Sequence, residues 1–278
     1  MKRKYMIIVL MAGALELTGC SQGTSNSAKN GTTGSENTII SESDIAILDT
    51  EDMFTERDRD TEYDESECTA ISLSDEETKC DSDGVKMDGQ TVTITEGGTY
   101  LLTGSLSNGS VVVDTDKTEK VQLILENVSI INEEGAGICV EQADKVFITL
   151  ADGSTNKIVS NSFTGNEDTN IDGAIFSRED LTLNGSGTLK ITSAAHGIVS
   201  KDDLVLTGGV YQIQSEKQGL SGKESVRIAD GTFTITSGTD AIHSEDTDED
   251  TKGFVYITGG VLTLAAGGDG ISSSYVVQ

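Results

Sequence analysis

Two aspartates, Asp240 and Asp269, each stand two residues ahead of an apolar residue, Ile242 and Ile271, and the acidic run Glu245-Asp246-Thr247-Asp248-Glu249-Asp250 lies between them. Carboxylates brought within about 5 Å of one another repel and favour a bridging cation. Calcium suits such a group, because it takes six to eight oxygens in a flexible arrangement. Asp240, Asp269, Glu245 and Asp246 are therefore the expected calcium ligands. His243, close to that corner, and Asp172, in a comparable position before Ile175, are weaker candidates for touching a ligand. The competing reading is that an Asp before Gly or Ala simply makes an Asx-type turn. A second acidic stretch, Asn166–Asp172, is faintly like a calcium loop but lacks the Gly and closing Glu of an EF-hand. No catalytic residue is assigned. The chain has two histidines, His196 and His243, and no GxSxG; both histidines read as turn or surface residues. The coil-region basic residues Lys157, Arg178, Lys190, Lys201, Lys217, Lys223, Arg227 and Lys252 are sparse and show no certified stacking beside the acidic corner.

What would bring these acids together is a repeat. Counted from Ile198, core-type residues follow at Leu204, Leu206, Tyr211 and Ile213. Counted from Leu220, 22 residues on, Val226, Ile228, Phe233 and Ile235 fall at the same offsets. From Ile242 the same pattern resumes, after a seven-residue insertion, at Val255, Ile257, Leu262 and Leu264. The coil from Ile175 gives Leu181 and Leu183 in register and Leu189 and Ile191 one residue late. Gly208-Gly209, Asp230-Gly231 and Gly259-Gly260 punctuate the second and third runs. Three short alternating strands per repeat predict an all-β parallel β-helix, in which each coil buries its apolar face only against its neighbours. The alternative is an antiparallel sandwich with regular strand spacing. Ile271 opens another coil and Val277 occupies its next core offset, so the register predicts further coils, or a covering chain, beyond Gln278.

The remainder of the chain reads differently. Lys2, Arg3 and Lys4 precede an apolar run too short to span a bilayer, and Leu17-Thr18-Gly19-Cys20 follows. This order resembles a bacterial lipoprotein signal, which implies acylation of Cys20 and a lipid-anchored position on the outer face of the bacterial membrane. Residues 1–20 are thus expected as signal peptide. Residues 21–80 read as a disordered acidic tether, with seventeen acidic and three basic residues between Glu42 and Asp83. Residues 81–278 form the solenoid. Cys68 and Cys80 are close enough in sequence to pair or to stay free, and Cys139 reads as a small packing residue. The net charge of −28 makes nucleic acid an improbable partner and favours a monomer.

The segments Gly98–Leu106 (GTYLLTGSL), Val121–Val128 (VQLILENV) and Ala143–Gly153 (ADKVFITLADG), with Asp240–Asp246 (DAIHSED), Gly253–Gly260 (GFVYITGG) and Gly268–Ser272 (GDGIS), resemble a family of bacterial surface β-helix proteins described as carbohydrate-binding domain-containing. The resemblance covers about residues 85–278. It implies a right-handed parallel β-helix related in shape to polysaccharide lyases, bound calcium, and affinity for acidic polysaccharide such as polygalacturonate. Binding rather than catalysis is the expected role; a lyase with catalytic coils beyond Gln278, and a structural spacer or adhesin, are the alternatives.

Overall fold

The computed structural model describes residues 48–163 and 170–278, and the backbone alone of residues 4–9. From Gly98 on, the chain winds as a parallel β-solenoid of about seven turns. Each full coil lays down three strands in order, as in Gly173–Ser177, Asp180–Gly185 and Thr188–Ser193, followed one turn later by His196–Ser200, Asp203–Leu206 and Val210–Ser215. The first strands of successive coils share one sheet, and the second and third strands build the other two sides of a three-sided tube.

The repeat offsets are the pairing register. Ile175, Ile198, Leu220, Ile242 and Ile271 stack on one side. Leu181, Leu204, Val226 and Val255 stack on the second side, and Leu189, Tyr211, Phe233 and Leu262 on the third. Inward residues are almost completely removed from water, and a single continuous core runs down the tube. Tyr211 and Phe233 stack at 4.8 Å between ring centroids and 6° between planes, which is the interstrand rise of a parallel sheet expressed in side chains. The corner between second and third strands needs left-handed backbone: Gly209, Gly231 and Gly260 have φ of 95°, 127° and 94°. Val277 bridges to Val255, as the offset predicts.

Residues 48–80 correct the expected tether. Within them, Thr69–Leu73 pairs parallel with Tyr100–Gly104 and buries Ile71 completely, extending the second side by a strand. Before it, residues 53–60 lie along the outside of the second side, with a short helix, Glu56–Arg59, opened by a Thr55–Asp58 capping box. Acidic composition signals solvation only where carboxylates lack partners, and the second side supplies Lys145 and Thr182 to Asp58. The expected signal segment contributes the backbone strand Lys4–Val9, antiparallel to Val261–Ala266. Cys20, the stretch 21–47 and most of the second acidic loop lie outside the described residues. Among the described residues no helix is long and apolar enough to cross a membrane. Cys68 and Cys80 are both free thiols, and Cys139 is buried against Ala136, Phe176 and Val199.

Candidate functional site

The outer surface of the first side holds a cleft of about 260 Å³, with Asp172, His196 and Gln218 on one wall, Lys201, Lys223 and Glu245 on the other, and Val199, Ser221 and His243 in its floor. The register builds it. The residue after each inward position points outward, so Phe176, Val199, Ser221 and His243 form the floor row. Two residues further on, the strand ends, and the side chains there turn to one edge: Arg178, Lys201 and Lys223 occupy this place in three successive coils. Their amides continue the ladder, from Arg178 to the Val140 carbonyl, from Lys201 to Ser177 and from Lys223 to Ser200. In a chain with net charge −28, three consecutive cations stand along one edge, while Asp172 and Glu245 balance Lys201 and Lys223 in the cleft lining.

These cations are held by partly exposed pairs. Lys201 lies 3.8 Å from Asp172 and 5.4 Å from the Phe176 ring centroid. Lys223 meets Asp248 at 2.8 Å and Asp246 at 3.9 Å, and its side chain remains 41% exposed. Arg178 donates through Nε to Glu141 at 2.7 Å. Partly exposed pairs of this kind contribute little to stability and can exchange partners.

The opposite edge is the row of acids and amides expected from sequence. The main-chain carbonyls of Gln218, Asp240 and Asp269 accept from the coil before, so Asp240 and Asp269 stack as their spacing predicts and Gln218 continues the row. Asp172 sits one residue off the row, yet its carboxylate reaches His196 Nε2 at 3.3 Å. Burial pushes the Asp172 carboxyl up, but His196, Lys201 and Lys217 together hold it below the ordinary range.

The four expected calcium ligands are neighbours without forming a shell. Asp240 spends both oxygens locally: Oδ1 accepts the Asp269 amide at 2.7 Å, and Oδ2 lies 3.1 Å from His243 Nδ1. Asp246 turns into its own loop, accepting the Asp248 and Glu249 amides at 2.7 and 3.0 Å. Those amides, with Lys223 nearby, lower its pKa. Glu245 stays exposed, 3.6 Å from His243 Nε2, and Asp269 is exposed. Among the described residues no three His, Cys, Asp or Glu side chains converge where an ion could sit. As placed, these four side chains do not converge into the six to eight oxygens that a calcium site uses.

Fold and cleft together define a parallel β-solenoid with a charged trough running across its coils. The chain belongs to the carbohydrate-binding domain-containing protein family, whose model matches residues 88–278. It is similar to a carbohydrate-binding domain-containing protein of Acetivibrio thermocellus, 35% identical over 137 residues, which are 48% of each chain; the match thus spans about half the length of that relative. It is also similar to a solved structure, a polysaccharide lyase-like protein from C. thermocellum in a gadolinium derivative. That likeness has a TM-score of 0.70 and 30% identity, and covers 76% of this chain and 96% of that one.

Proposed function

We propose that this chain is a lipid-anchored surface protein that binds acidic polysaccharide of the polygalacturonate type along the cleft of its first side. The observation that carries the reading is the row Arg178, Lys201 and Lys223 beside an open trough. A polymer of uronates laid across the coils would meet a cation at each step of about 4.8 Å, the parallel interstrand spacing. Its hydroxyls would face Gln218, Ser221, His196 and His243, which offer donors and acceptors on the floor and the far edge. Family membership supports a carbohydrate ligand, and the sign of the row supports an acidic one. Because Asp240 is held by the Asp269 amide and by His243, the sugar carboxylates go to the lysines directly in this reading.

Retention of the full chain on immobilised polygalacturonate tests this. Charge-assisted hydrogen bonds contribute about 1.5–3 kcal/mol each, so Lys201→Met with Lys223→Met should weaken binding by roughly a hundredfold or more. Unchanged retention by a folded double variant would sink the assignment. Retention lost in chelator, with the fold intact, would instead shift the sugar contact to a metal bridge through the exposed carboxylates of Glu245 and Asp269.

A further inference from the structure

The outside of the second side is covered by another part of the same chain, residues 53–60. Its outward row runs Gln122, Phe147, Thr182, Val205, Arg227 and Tyr256 through consecutive coils. Thr149, Asn184 and Thr207 stand beside that row. Residues 53–60 lie along it, crossing coil after coil in the direction that a bound polymer would take.

The contacts have an unusual distribution for a covering segment. Apolar packing is confined mainly to its start, where Met53 packs with Phe254, Phe54 and Tyr256. The rest is polar recognition by side chains of the sheet. The Asp58 carboxylate, 3% exposed, receives Lys145 Nζ at 2.9 Å and Thr182 Oγ1 at 2.7 Å. The Asp58 carbonyl accepts from Thr207 Oγ1 at 2.6 Å and Asn184 Nδ2 at 3.2 Å, and the Asp60 carbonyl accepts from Asn184 at 3.0 Å. Arg227, which stays paired with Asp203, donates to the Met53 carbonyl. Arg57 reaches Gln122 at 2.8 Å and stacks over Phe147, 4.5 Å from its centroid.

A cation and a hydroxyl converging on one carboxylate, a row of hydroxyl and amide donors, and an aromatic face beside them are the components with which a protein binds an acidic sugar. Here an acidic peptide fills them. We infer that the second side is a second binding groove for uronate polymer, and that residues 53–60 occupy it as a tethered surrogate, with Asp58 in the place of a uronate carboxylate. A tethered occupant acts at an effective concentration in the millimolar range. Short uronates therefore fail to displace it, and a long polymer, engaging several coils at once, succeeds. This groove is independent of the cleft: either one can be a binding site without the other.

Asp58→Ala in the full chain empties the carboxylate position and keeps the main-chain contacts of the segment to Thr207 and Asn184. Sodium acetate, and then galacturonate, should raise the melting temperature of this variant saturably, whereas sodium chloride at equal ionic strength should not. Adding Lys145→Met should abolish the rescue. No carboxylate-specific shift, or a shift that survives Lys145→Met, overturns the carboxylate site. If Asp58→Ala does not fold, the unaltered chain decides: excess long polygalacturonate should increase hydrogen exchange at the amides of residues 53–60, and unchanged protection overturns displacement. Both readouts repeated in the Lys201→Met, Lys223→Met background should persist, which separates this groove from the cleft whether or not the cleft binds.

Discussion

The first and second sides of the solenoid are made from the same coil and differ in what their outward rows do. On the first, the cations Lys201 and Lys223 are 40% and 41% exposed and held by long or solvent-facing pairs. On the second, Lys145 is 16% exposed and locked onto a carboxylate that is 3% exposed. A shared backbone register thus gives two electrostatic regimes. In one, water screens each pair and the cation remains free to change partner. In the other, the charges are desolvated and depend on each other.

The largest expected effect lies on the covered side. Asp58→Ala leaves Lys145 buried without its counter-ion and should cost about 3–5 kcal/mol. Near 2–4 °C per kcal/mol for a chain of this size, thermal melts should show a fall of roughly 6–20 °C. Removing both charges, with Asp58→Ala and Lys145→Met, should recover much of that loss. Equal effects of the single and double changes would erase the distinction between the two sides. The acid dependence has a definite sign. Burial pushes the Asp58 carboxyl up, but Lys145, Thr182 and Thr55 outweigh it, and the group lies below its ordinary value. Its stabilisation is complete above the ordinary value of 3.8 and disappears as pH falls through the lower folded value.

An intermediate effect is expected at the corner between the two sides, where Glu224 stacks on Asp202. Burial, then Asp180, Glu224 and Asp203, push the Asp202 carboxyl up to about 7. A raised acid opposes folding once ionised, so this group's contribution should improve as pH falls from about 7 toward 3.8. Asp202→Asn should therefore stabilise the chain at pH 8 and do little at pH 4, measured as melting temperature against pH. A gain of the same size at both values would remove the carboxyl repulsion as its cause. The smallest effect belongs to the cleft: Lys223→Met should change stability by less than about 0.5 kcal/mol while weakening retention on polygalacturonate.

Much of the tube was readable because inward positions recur. Ile198, Leu220 and Ile242 alone set a register that all three sides obey. The same register contained the cationic row, since Arg178, Lys201 and Lys223 each follow an inward residue by three; counting basic residues as scattered, rather than by coil position, concealed it. Stacking of Asp240 on the neighbouring coil was legible, whereas the direction of its carboxylate was not. That direction is fixed by the Asp269 amide and His243, and a one-dimensional pattern carries no side-chain torsions. The covering segment was illegible for another reason. Asp58 meets Thr182 across 124 residues, in a stretch without periodicity whose composition is that of a solvated chain.

The covering segment also sets how the molecule would carry load. Its upstream end is fastened at the last coils, where the Leu48 amide donates to Gln278 and Met53 packs on Phe254. From there the chain doubles back to Thr69–Leu73 at the opposite end. A pull arriving through the residues before Leu48 first meets contacts spread over several coils and loaded in parallel, in shear. The coils themselves are not peeled one by one. A solenoid strapped along its length in this way resists extension where an unstrapped stack would unzip from its first turn.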